Sequence, residues 1–149
     1  MTPYDMVREQ LTKTVPFAAH VGVELLTIDE GRATAQLAQR EETSNHIATQ
    51  HAGAMFTLGE AASGAALAGA LMDRLMNIRP VAAKADINYV AIAKGTLTAT
   101  AETSRPVPEI KAQLDEEGKV QFDVHVILRD QNDQEVAVMT VSWHVRPNQ

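Results

Sequence analysis

The segment HAGAMFTLGEAASGAALAGALMDRLM, running from His51 to Met76, decides the reading of the fold. It lacks proline, is rich in Ala, Leu and Met, and predicts one long helix over about residues 51–76. From Gly53 to Ala70 it is small or apolar on nearly every face, the pattern of a helix buried on all sides. Such a helix has to be enclosed by other elements, and the flanking sequence supplies them.

Upstream, Arg40 to Gln50 is polar and turn-like. Before it, Val21–Ile28 and Arg32–Gln39 read as two strands joined at Asp29-Glu30-Gly31. Ala33, Ala35 and Leu37 alternate there with Arg32, Thr34 and Gln36, as in a sheet with one wet face. Tyr4, Met6, Val7 and Leu11 are spaced for a short amphipathic helix over about residues 3–14, closed by Pro16. Downstream, Val81–Ile92, Thr96–Thr103, Lys119–Arg129 and Glu135–Val145 read as four strands, the last two forming a hairpin through Asp130-Gln131-Asn132-Asp133. Arg105–Gly118 reads as a loop carrying one helical turn or two, on the strength of Ile110 and Leu114 standing four apart. This order predicts an α+β fold in which a mostly antiparallel sheet of five to six strands wraps a central helix. A length of 149 residues, without internal repeat or Gly/Ser linker, predicts a single domain over 1–149.

Composition removes several classes of function. Thirteen Lys+Arg against nineteen Asp+Glu give a formal charge of −6, and no basic run exceeds two residues, so nucleic acid and anionic membrane are not expected partners. Zero cysteines exclude disulfides, thiolate metal sites, Fe–S clusters and a cysteine nucleophile, and fit a reducing compartment. Asp5, Arg8 and Glu9 interrupt any apolar signal-peptide core, and Ala61–Met72 is too short to span a bilayer, so the expected location is the cytoplasm. His20, His46, His125 and His144 lack metal-site spacing, and no metal is expected.

The residues that carry chemistry lie where the polar turn enters the helix. His51-Ala52-Gly53 sits at the helix start, where backbone N–H groups have no intrahelical acceptor and the helix dipole is positive, so the Ala52 and Gly53 amides are candidate oxyanion donors. Glu60 interrupts an otherwise apolar helix, where burial raises a carboxyl pKa or demands a partner, and is a candidate general base. Arg74 and Lys84 are the cations that could instead hold it as a structural ion pair. Nine residues separate His51 from Glu60, about 13 Å along a helix and about half a turn out of phase. Donors and base can therefore meet only if two antiparallel helices lie side by side across a twofold axis, which predicts a homodimer with two equivalent sites, open to stacking as a dimer of dimers.

The window Asn45…His51-Ala52-Gly53…Glu60 resembles the signature of the hotdog-fold acyl-CoA thioesterases of the PaaI-like (phenylacetate-pathway-type) group, in which an Asn, a His-Gly-Gly turn and an acidic residue recur at this spacing. Ala85-Asp86-Ile87-Asn88-Tyr89-Val90 and Ala93-Lys94-Gly95 resemble the following strand and turn of that group. The resemblance implies a hotdog fold, an acyl-CoA thioester substrate with no cofactor beyond the CoA of the substrate itself, and site residues Asn45, His51, Ala52, Gly53 and Glu60. Three positions depart from the pattern: Ala52 replaces the first glycine, Glu60 replaces the common Asp, and Ala82 and Ala83 stand where several relatives carry a Ser or Thr. These departures motivate the alternative of a non-catalytic acyl-CoA- or lipid-binding hotdog dimer. Asn45 as a turn cap and His51 as a helix cap are the corresponding structural alternatives.

Overall fold

A computed structural model describes residues 1–148 of the chain. Its first helix, α1 (Pro3–Thr14), opens with a capping box in which Thr2 and Asp5 exchange backbone and side-chain hydrogen bonds. Pro16 does more than close α1. Its fixed φ and missing N–H suit a first helical position, and it opens a second helix, α2 (Pro16–Val21). Gly22 ends α2 in the left-handed region at φ 100°, so the first strand starts at Val23 and not at Val21.

The strands are β1 (Val23–Asp29), β2 (Arg32–Leu37), β3 (Ile78–Tyr89), β4 (Leu97–Thr103), β5 (Val120–Arg129) and β6 (Glu135–Pro147). They form one six-stranded sheet in the order β1-β2-β4-β5-β6-β3, with every neighbouring pair antiparallel. The central strands alternate as expected: Ala33, Ala35 and Leu37 of β2, Val124, Val126 and Leu128 of β5, and Met139, Val141 and Val145 of β6 are all buried. β3 begins three residues earlier than Val81 and takes in Pro80, which an edge strand tolerates because one side of its backbone has no strand to bond.

The central helix, α3 (Ala52–Ala70), packs against β1, β2, β4, β5 and β6. It is shorter than the sequence suggests. Leu71 leaves the helical region and Met72–Asn77 continues as a 3₁₀ segment. The break falls where burial stops: Ala65 to Leu71 are all enclosed, whereas Asp73, Met76 and Asn77 reach solvent. Close approach of helix to sheet depends on side-chain size, since a Cβ on Gly69 would run into the backbone carbonyl oxygen of Asp29.

The segment expected to hold one or two helical turns is a full helix, α4 (Val107–Glu117). Val107 joins Ile110 and Leu114 in the core, completing an i, i+3, i+7 stripe, and Gly118 ends the helix at φ 71°. Arg74 ties the 3₁₀ segment to α4 through a two-pronged contact with Asp115, at 3.0 and 2.6 Å. Among the described residues, no helix is long and apolar enough to cross a membrane.

Candidate active site

Asn45 shapes the approach to α3. Its Oδ1 accepts from the backbone N–H groups of Ile47 (3.1 Å) and Thr49 (3.0 Å), and its own N–H donates to Thr49 C=O (2.8 Å). Ala48 sits inside this loop at φ 58°, a conformation that costs a non-glycine residue of order 1 kcal/mol or more and that the surrounding bonds hold. The side chain of Asn45 is therefore spent on the loop, the role of a turn cap.

The loop delivers His51 as the N-cap of α3. Its backbone N–H donates to Thr43 C=O (2.8 Å), and its Nδ1 accepts the Gly53 N–H (2.8 Å), which requires the ring proton on Nε2. The ring lies so close over Gly53 that a Cβ there would be 3.1 Å from Nδ1, which accounts locally for a glycine two residues after the histidine. Of the two expected oxyanion donors, then, Gly53 is engaged by His51, whereas the exposed Ala52 N–H has no acceptor among the described residues. Ala52 itself lies in ordinary helical backbone, and alanine there carries no strain. Tyr89, at the end of β3, donates its hydroxyl to Ala52 C=O (2.9 Å) and ties the edge strand to the same turn. Nothing in the sequence singles out Tyr89, because the contact depends on where an edge strand ends.

Glu60 lies two turns further along α3, half-buried, among the α3 positions that stay partly open with Phe56, Ala61 and Gly64. Among the described residues its carboxylate makes no hydrogen bond and no ion pair, and burial raises its pKa above the ordinary glutamate value. The cations the sequence offers as structural partners are not used for this within the chain. Arg74 is bound to Asp73 and Asp115, and Lys84 stands exposed on β3. Glu60 borders a cavity of about 220 Å³ between α3 and the N-terminal helices, in which it is the only ionisable group. The structure thus brings Asn45, His51, Ala52 and Gly53 together at one end of α3 and leaves Glu60 apart from them, as their helical phase requires. No group of three His, Cys, Asp or Glu side chains is clustered to hold a metal ion among the described residues.

A family model described as Domain of unknown function (DUF4442) matches residues 5–145. The chain belongs to the DUF4442 family. The match takes in all six strands except the last residues of β6, and both ends of the candidate site. Solved structures similar to this DUF4442 chain show its fold. A Pseudomonas aeruginosa protein of unknown function, PA5026, called a probable thioesterase, is 20% identical, with a TM-score of 0.85 over 99% of this chain and 97% of that one. The Escherichia coli PaaI protein of the phenylacetic acid degradation operon is 19% identical, with a TM-score of 0.72 over 95% and 92% of the two chains. A hypothetical thioesterase of Streptococcus pneumoniae, solved with coenzyme A, is 18% identical, with a TM-score of 0.71 over 93% and 98%. The hotdog fold expected from Asn45, His51 and Glu60 is the fold of this chain. No curated protein matches it in sequence.

Proposed function

We propose that this DUF4442 protein hydrolyses an acyl-CoA, or a closely related thioester, at a site completed by a second copy of the chain. The observation that carries the reading is Glu60, a carboxylate without a partner among the described residues, half-buried at the edge of an apolar cavity beside a buried helix. In this scheme Glu60 takes a proton from a water molecule that attacks the thioester carbonyl. The Ala52 N–H at the partner's helix start steadies the oxyanion of the tetrahedral intermediate. Collapse expels the CoA thiolate, which recovers the proton from Glu60. His51 and Asn45 act by fixing the turn that presents Ala52, and CoA takes part only as a piece of the substrate.

The need for two copies follows from the nine residues between His51 and Glu60. β3 gives the pairing a place to occur: it bonds only β6, its outer edge is free among the described residues, and Val81 and Tyr89 on it are 52% and 46% exposed. The homodimer is read as acting in the cytoplasm, in keeping with a chain that has no cysteine.

Free-thiol release from a panel of acyl-CoAs, comparing the natural protein with Glu60→Gln, tests the reading. Loss of general-base catalysis is expected to lower turnover by about 10²–10⁴-fold. Undiminished turnover in Glu60→Gln overturns the role given to Glu60. The alternative of a non-catalytic acyl-CoA binder is favoured by one observation, the engagement of the Gly53 N–H by His51, which leaves a single open donor of the expected two. Ligand-induced thermal stabilisation with no thiol release would establish that alternative.

A further inference from the structure

Gly64 is the glycine of α3 that packing does not explain. It lies in a helix interior, where glycine costs about 0.5–1 kcal/mol relative to alanine, yet a Cβ there would meet nothing closer than the Trp143 ring at 3.5 Å, an ordinary contact. Its neighbour at position 69 is the opposite case, with the Asp29 backbone in the way. What Gly64 does is leave space, and the space belongs to the cavity that Glu60 borders.

That cavity is bounded by Leu11 of α1, Leu25 of β1, Ala61 and Leu67 of α3, and Trp143 of β6. The Trp143 ring is fixed, because its Nε1 donates to Ser63 Oγ (3.0 Å), which in turn donates to Glu60 C=O (2.7 Å). Among the described residues Glu60 is the only ionisable group in the lining, so a second negative charge on the ligand would be buried there without a cation beside a carboxylate. The lining runs along α3 from Glu60 to Ala68, about 12 Å of helix, which suits a chain better than a ring. An apolar cavity of about 150 Å³ holds benzene, so by proportion about 220 Å³ holds about nine carbons.

We propose that this cavity receives the acyl group of the thioester as an uncharged alkyl chain of medium length, and that Gly64, facing the fixed Trp143, sets the chain length accepted. The proposal rests on the thioesterase reading for the reaction, and on the cavity alone for the occupant.

Two readouts separate the cavity from the chemistry. Trp143 is the only tryptophan, so its emission reports occupancy whether or not a thioester is cleaved. Titration with octanamide, which is uncharged, is expected to change that emission saturably, and succinic acid is not. In thiol release, octanoyl- and decanoyl-CoA are expected to be preferred over acetyl-, succinyl-, phenylacetyl- and hexadecanoyl-CoA. Gly64→Leu is expected to lower kcat/KM for decanoyl-CoA by about 10–200-fold while leaving butanoyl-CoA within about twofold, and Gly64→Ala, which the helix accommodates, to move the optimum the same way by less. A chain-length profile unchanged in folded Gly64→Ala and Gly64→Leu, with Trp143 emission blind to octanamide, overturns the proposal even if thioesters are hydrolysed. An octanamide signal abolished by Gly64→Leu, in a protein that cleaves no thioester, keeps the pocket and removes the hydrolase.

Discussion

Glu60 titrates against its surroundings, and that has two measurable consequences. Burial raises its pKa above the ordinary glutamate value, so the folded protein holds this proton more tightly than the unfolded chain does. Below the ordinary glutamate value both states are protonated and folding carries no penalty from this group. As pH climbs from the ordinary value through the raised folded one, the unfolded chain ionises first, folding must desolvate a charge, and stability falls until it levels off above the folded value. Glu60→Gln is therefore expected to raise Tm at neutral pH, by an amount that vanishes on acidification below about pH 4, in thermal melts run across pH. Activity should show the inverse dependence, rising through a pKa above the usual carboxylate range, because the base works only when ionised. The residue proposed to activate water is thus expected to be one the fold is more stable without. Asn45, His51 and Glu60 were visible in the sequence as a spacing. The sequence did not show that the His51 ring claims the Gly53 N–H, because that bond follows from a ring orientation set by a loop held on Asn45, Thr49 and a left-handed Ala48.

Elements make their own demands on side-chain size, and two glycines of one helix separate them. Gly69→Ala places a Cβ against the Asp29 carbonyl and is expected to cost about 1–3 kcal/mol, read as a lowered denaturant midpoint at unchanged slope. Gly64→Ala, with open contact at Trp143, is expected to be neutral or to stabilise by up to about 1 kcal/mol through helix propensity. An alanine-rich run announces a buried helix, but not which of its small residues touch backbone and which face a void. For the same reason α3 was legible in kind and not in length: Leu71, Met72, Leu75 and Met76 carry the apolar spacing on past Ala70, whereas burial, which ends after Leu71, marks where helical geometry stops. α4 was under-read for a simpler cause. Val107 follows Pro106 and looks like loop until the burial of Val107, Ile110 and Leu114 together makes three turns worth forming.

At the scale of the whole molecule, the phase of one helix argued for a second copy before any strand order was known. The free edge of β3 gives that argument a surface. Sedimentation equilibrium is expected to give twice the chain mass, and Ala83→Lys, midway along β3, to weaken association, since a twofold axis sets each added charge near its copy. A monomer at micromolar concentration with full thioesterase activity would overturn the shared site. What the sequence could not convey is that the N-terminal helices wall a cavity beside Glu60, because α1 and α2 touch α3 only through the tertiary arrangement.

The strand order also governs how the chain can assemble. β3 is the first strand after the central helix, yet among the described residues its sole strand partner is the final one, with Ile78 set against Pro147 and Tyr89 against Ala137. During synthesis β3 must wait, unpaired, until nearly all of the chain has been made, beside a helix that has one charged residue in nineteen positions. Its folding is therefore governed by long-range closure, and the period before β6 arrives is when the nascent chain is most exposed to self-association. The edge that suits a partner in the finished protein is, until then, the one most in need of protection.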